Sequence, residues 1–555
     1  MEWTVNHWND EVDIVVVGTG AAGLTAALTA AEQGLSALAI EKTAFFGGTT
    51  SLSGGVMWIP NNHLMRKAGL EDSPELALEY LKHNIGNRVA GNKLASFVEH
   101  APRMLEFLTK RGFLDVVTFE GFPDYRAETP GGLSGGRSVE PKVFAGNKLK
   151  AWYEGLRRRK ISLPIVGTMT ELRQLAAIRS DLGVFLKAWR VLPRQLMGLI
   201  TGAKHHSTGS ALIGWLAHAL QQQKIPLRLN CALSEILTEN GSVKGIVAID
   251  QGEEVRVRCR KGVILASGGF DHNTALREKY LGGYGGAELS SGSPGNEGDA
   301  LKSVSELDVA LDLMDDAWWA PTCLIPGRGP QIVIFERGKP GQIIVSKEGQ
   351  RFANEAQPYN DFVKAMFEAQ RSGLSALPSF MVFDQRFRDR YPLADMMPGI
   401  TPKAYIDHGF LIRADNLADL AVAAGIDPEG LTATVEEFNE MARLGVDTKY
   451  HRGEFAFDRF SGDSKVSPNC CLAPLEKPPF YALQIHAGDL GTKGGLLTNE
   501  YAQVLRVDSE VIDGLYAAGN CSASVMGNFY PGAGGTIGPA MTFGYIAAMH
   551  AASRR

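Results

Sequence analysis

Residues 12–42 read VDIVVVGTGAAGLTAALTAAEQGLSALAIEK, and no other stretch constrains the fold as tightly. The run at 12–17, apolar apart from Asp13, suits a strand buried on both faces of a parallel sheet. It passes into Gly18, Gly20 and Gly23, which form GxGxxG at a strand-to-helix turn. The first glycine permits the turn, the second lets main chain approach a pyrophosphate, and the third lets helix and strand pack closely. Ala22 lies in the same turn, and the helix N-terminus that follows faces the phosphates. A second strand at 35–40 ends in Glu41, placed to accept ribose hydroxyls, with Lys42 beside it.

Three later segments extend this cradle. GGTTSLSGG at 47–55 supplies Gly48, Thr49, Thr50, Ser53, Gly54 and Gly55. KGVILASGGF at 261–270 is a strand entering a glycine turn, with Ala266, Gly268 and Gly269. IDGLYAAGN at 512–520 is a strand ending at Gly519 and Asn520. Asp299, Gly535 and Ile537 complete the candidate contacts. NAD sites usually finish within one Rossmann domain, whereas a flavin dinucleotide needs contacts from segments far apart in sequence. The cofactor is therefore expected to be FAD. The expected fold class is α/β: a discontinuous Rossmann-type FAD-binding domain over 1–319 and 492–555, with an inserted α+β catalytic cap over 320–491. Two or more domains suit a chain of 555 residues, and a substrate site belongs at such a domain interface.

Composition excludes several classes. A net charge of −5 gives no global case for nucleic acid. The six cysteines show no CxxC or CxH spacing, so no metal site is expected and a reducing compartment is. The N-terminus lacks a basic start followed by an apolar run, and no stretch has the roughly 18 apolar residues of a membrane span. A cytoplasmic protein is expected, with peripheral membrane association as an open alternative. That alternative comes from a basic insertion at about 156–206, which begins with LRRRK. Between Asp181 and Glu235 there is no acidic residue, while Phe185, Trp189, Leu192, Leu196 and Leu199 recur at helical spacing and Pro193 interrupts them. Residues 182–204 thus read either as a membrane-surface helix or as a helix packed on the core.

RFANEAQPYNDF at 351–362, together with the dinucleotide segments, resembles the fumarate reductase and ketosteroid dehydrogenase superfamily of flavoproteins over nearly the whole chain. Fumarate reductases carry an arginine shortly after such an NE pair, as proton donor, and a histidine before a later GG. Here Tyr359 takes the first place and Gly491 of GTKGG takes the second, which argues against dicarboxylate reduction. Succinate dehydrogenases bind flavin covalently through a histidine before the GG that here is Gly54-Gly55. Residues 41–62 contain no histidine, so non-covalent FAD is expected.

FPDYRAE at 122–128, NEAQPYNDF at 354–362 and GNFYPGAGGTIGPAMTFGYIAA at 527–548 resemble 3-ketosteroid Δ1-dehydrogenases. The resemblance implies Tyr359 as base, Tyr125 as its helper, and Tyr530 with the amide of Gly534 as the grip on the C3 carbonyl. It implies a 3-ketosteroid substrate and a quinone or similar acceptor. Dehydrogenation at C4–C5 by a Δ4-(5α)-dehydrogenase is the alternative. Hydrogen bonds to the ketone oxygen would stabilise a developing enolate. Because a free tyrosine has a pKa of about 10, a hydrogen bond from Tyr125 is expected to favour the Tyr359 phenolate. Tyr481, Trp318 and Trp319 are further candidates for an apolar cleft.

Overall fold

The computed structural model describes residues 8–159, 166–176, 198 and 202–554. The segment expected to be amphipathic, 182–204, lies outside the described residues except for Gly198 and 202–204. Among the described residues, no helix is long and apolar enough to cross a membrane.

An eight-stranded sheet forms the cofactor-binding half. Five of its strands run parallel in the order Leu227–Leu229, Ala37–Glu41, Asp10–Val17, Glu253–Leu265 and Val511–Ala517. Ile14, Val15 and Val16 are fully buried, as a strand covered on both faces requires. The register pairs Val17 with Ile40 and Leu265, and Leu265 with Ala517. The three glycine-bearing turns therefore leave the sheet from one edge, at the carboxyl ends of parallel strands, where open α/β sheets bind ligands. The first helix, Ala21–Glu32, is covered by Thr208–Gln222 and by the C-terminal helix Ile537–Ser553. Residues from the two ends of the chain thus complete one domain, and the discontinuity expected from sequence is observed.

The cap is built on a six-stranded antiparallel sheet. Its central strand, Phe480–Thr492, pairs with Ala317–Ile325 on one side and with Ser379–Asp384 and Leu411–Ala414 along its first half. The expected boundaries near 319 and 492 fall inside two of these strands, where Ala317 pairs with Thr492. The helix Tyr359–Arg371 lies against the strand Ala317–Ile325. It buries Phe362, Val363, Met366 and Phe367 in the cap while its first residue, Tyr359, joins the large core of the cofactor-binding half.

Candidate active site

A cavity of about 440 Å³ begins at the dinucleotide turn and ends among three tyrosines. Every candidate cofactor contact lines it except Gly23, Gly269 and Gly535. Those three serve packing instead. A Cβ at Gly23 would lie 2.0 Å from the Gly18 oxygen, one at Gly269 would lie 2.1 Å from Thr492 Oγ1, and one at Gly535 would lie 2.7 Å from Pro531. Gly18 has φ +102°, and a Cβ there would meet the Ala266 carbonyl at 2.4 Å, so the turn closes directly onto the neighbouring strand.

The cavity's polar chemistry fits a dinucleotide. The helix Ala21–Glu32 has Gly20 as its N-cap, with no side-chain cap and no acid in its first turn, as anion binding at a helix N-terminus requires. The Glu41 carboxylate is oriented by the Thr19 hydroxyl at 2.6 Å and by Thr43. Ser267 and Ser291 line the cavity with buried hydroxyls that have no partner among the described residues, an arrangement that a polar ligand would satisfy. Lys42 is tied to Asp299 at 2.8 Å and Glu297 at 2.9 Å, so Asp299 shares its charge with the lysine.

At the other end Tyr125, Tyr359 and Tyr530 form a buried triangle. Their ring centroids are 5.6 Å apart for 125–359, 5.3 Å for 125–530 and 5.2 Å for 359–530, all nearly perpendicular. Tyr359 is the first residue of its helix, after Pro358, so the positive end of the helix dipole underlies the phenol. Tyr125 follows Asp124, a buried carboxylate that accepts from Trp58 Nε1 at 2.8 Å, Arg137 at 2.8 Å and the Leu133 amide at 3.1 Å. The Tyr125 amide donates to the Pro531 carbonyl at 3.0 Å, joining this loop to the one bearing Tyr530. Ahead of Tyr530, the Asn528 carbonyl accepts from Lys364 at 2.7 Å and Lys493 at 3.1 Å.

Gly534 adopts φ +89°, and a Cβ there would lie 2.5 Å from the Val56 carbonyl. Its own carbonyl accepts from the Trp58 and Gly538 amides, while its N–H meets no acceptor among the described residues. Gly534, with this uncommitted amide, and Tyr530 both line the cavity.

Burial pushes the Tyr530 phenol up to about 12. Tyr359 and Tyr125 are raised well above the ordinary tyrosine value, again first by burial. For Tyr359, the charges and hydrogen bonds of Tyr125 and Tyr530 add to the rise. This differs from the expectation that Tyr125 favours the Tyr359 phenolate. The apolar, fully buried setting disfavours a phenolate, so Tyr359 rests neutral beside two phenols that burial also holds neutral.

Other expected cleft residues lie elsewhere. Trp318 stands behind Tyr530, with ring centroids 4.9 Å apart, and donates to Asn520 at 3.3 Å. Trp319 points the opposite way along the strand, into the cap core against Phe367. Tyr481 stacks on Phe383 and donates to Gln385 at 2.6 Å, also within the cap and off the cavity wall. The apolar wall near the tyrosines is instead Phe119, Phe122, Ile332, Ile334 and Phe335. Phe122 opens the FPDY motif and was legible there; the isoleucines carried no sequence signal. At Gly491, φ is +129° and a Cβ would lie 2.5 Å from Asn520 Nδ2, so a side chain at this position would be strained and would displace the Asn520 amide.

The family described as FAD binding domain matches residues 13–537. The 3-oxosteroid 1-dehydrogenase of Mycobacterium tuberculosis is 44% identical over 98% of this chain and 99% of its own. The 4-oxocyclohexanecarboxylate 2-dehydrogenase of Sinomonas cyclohexanicum is 35% identical, over 99% of this chain and 94% of its own. Among solved structures, the 3-ketosteroid Δ1-dehydrogenase of Sterolibacterium denitrificans in complex with 1,4-androstadiene-3,17-dione superposes with a TM-score of 0.94 and 39% identity, covering 99% of this chain and 100% of that one. With a FAD-fitted cavity and likeness along the whole length, the chain belongs to the 3-oxosteroid 1-dehydrogenase family of FAD-binding flavoproteins.

Proposed function

We propose that this protein oxidises the C1–C2 bond of 3-ketosteroids. The observation that carries the reading is that Gly534, with its open amide, lines the same cavity as Tyr530 and Tyr359, whose rings lie 5.2 Å apart, and that this cavity continues into the dinucleotide cradle. Tyr530 and Gly534 would hold the C3 oxygen and stabilise the enolate that develops there. Tyr359, as phenolate, would take the C2 proton, with Tyr125 sharing the proton or the charge. Bound FAD supplies the acceptor for the C1 hydride, and the C1–C2 double bond forms. The cofactor is held without a covalent link, since Ser53 precedes Gly54-Gly55. Electrons then pass to a quinone-like acceptor.

The test is anaerobic mixing of FAD-loaded protein with 4-androstene-3,17-dione. The flavin band should bleach and 1,4-androstadiene-3,17-dione should appear. A product lacking a 1-ene, or bleaching only with 4-oxocyclohexanecarboxylate, would overturn the steroid Δ1 reading. Acid precipitation should release the flavin intact, and a menaquinone analogue should reoxidise the reduced protein. Liposome co-sedimentation of the chain with and without residues 182–204 decides the membrane alternative.

A further inference from the structure

Arg337 lies beneath the segment that delivers Tyr359, and it is fully buried. Its Nε donates to the Val333 carbonyl at 3.0 Å, Nη1 to Glu355 at 2.6 Å and Nη2 to Gln357 at 3.1 Å. The guanidinium also sits 4.7 Å from the Phe362 ring centroid, one turn into the Tyr359 helix. No carboxylate among the described residues forms an ion pair with it. The Glu355 carboxylate is occupied by Arg351 at 2.7 Å and Arg452 at 3.2 Å, and that of Glu336 accepts from the Ile334 amide. A buried cation whose hydrogen bonds go only to main-chain carbonyls is rare, because here only the unbonded charges of Glu336 and Glu355 offset its lost hydration. Burial brings Arg337 down to about 9, so it stays charged at neutral pH. Its field reaches the Tyr125 phenol and favours the ionised form there.

We propose that Arg337 is a positioning residue for the dehydrogenation: it clamps the turn before Tyr359, and its charge offsets the negative charge that the Tyr359–Tyr125 pair must carry. The proposal rests on the reading of Tyr359 as base. The charged and titratable groups around this arrangement are Glu336, Glu355 and Arg452 on the arginine side, and Tyr530 and Asp361 on the phenol side. Of these, Arg452 and Glu355 are paired with each other, and Asp361 is paired with Arg126 at 3.2 Å. Glu336 is the first opposing charge on Arg337, and burial raises that carboxyl; beyond it the guanidinium acts on Tyr125.

Arg337→Met, Arg337→Gln and Arg337→Lys are compared with wild type as FAD-loaded proteins, reading kcat, KM, flavin content and the pH profile of kcat. The neutral variants should lose about 100-fold in kcat, with KM changed less than about 3-fold. The pH of half-maximal kcat should rise by about one unit, because the phenolate has lost its cation. Arg337→Lys should restore the profile while kcat stays about 10-fold low, since one ammonium cannot make the three-carbonyl clamp. A lower kcat with an unmoved profile would reduce Arg337 to packing, and wild-type kinetics would remove it altogether. Should neither neutral variant hold FAD, the lysine variant decides: a wild-type profile with low kcat supports the clamp, and wild-type kcat overturns it. Tyr359→Phe serves as the separate control, for if it keeps activity the base assignment fails whatever the arginine variants show.

Discussion

The two sides of the tyrosine cluster are held by different forces. Tyr530 and Gly534 sit on a loop pinned by main-chain bonds to the cofactor-binding half. The Gly534 carbonyl accepts from the Trp58 amide at 3.0 Å, and the Pro531 carbonyl from Tyr80 Oη at 2.7 Å and the Tyr125 amide. Tyr359 comes from the cap, where the preceding turn is set by buried ions. Arg351 binds both Glu355 oxygens and Asp447, Arg452 shares one of those Glu355 oxygens, and Arg337 takes the backbone carbonyls. Main-chain bonds among close-packed glycines fix a carbonyl grip rigidly. A charge cluster fixes a turn and also sets the potential in which a phenol must ionise.

Removing the proposed base, Tyr359, should break this contrast most severely. Tyr359→Phe is expected to cost about 10³-fold in kcat while FAD absorbance and substrate binding persist, as stopped-flow bleaching would show. Next is the ionic side: Glu355→Gln should destabilise the fold by about 3 kcal/mol, since it strands two buried guanidiniums. Burial acts to raise the Glu355 carboxyl, but Arg351 and Arg452 outweigh it and hold it below the ordinary glutamate range. Its contribution is therefore complete above the unfolded-state pKa of about 4.3 and is lost as pH falls through the lower folded value. Denaturant melts should accordingly show the gap between wild type and variant narrowing in acid and constant at neutral pH. The smallest effect belongs to the main-chain side. Gly534→Ala should cost about 50-fold in kcat, because φ +89° and the 2.5 Å approach to Val56 force the amide out of line. Its pH profile should stay unchanged, which is what separates it from the ionic variants.

The dinucleotide cradle was legible in sequence because each part is local: a strand, a glycine turn and a terminal acid within a few residues. The tyrosines were legible only through motif resemblance, since nothing in the spacing of positions 125, 359 and 530 brings them to one point. Arg337 left no signal, because it acts on carbonyls about 20 residues downstream, and carbonyl positions belong to every sequence alike. Trp318 and Trp319 show a different limit. As strand neighbours they had to face opposite sides, but sequence did not say that one would back Tyr530 and the other enter the cap. The protonation of the tyrosine cluster depends first on its burial, which no motif encodes.

Lys364 lies five residues after Tyr359 on the same helix, and its ammonium holds the Asn528 carbonyl ahead of Tyr530. One helix thus carries the phenol proposed as base and an ammonium that steadies the loop of the proposed ketone grip. Lys493 holds the same carbonyl, so a single backbone oxygen, shared by two ammonium groups, sets the spacing between Tyr359 and Tyr530.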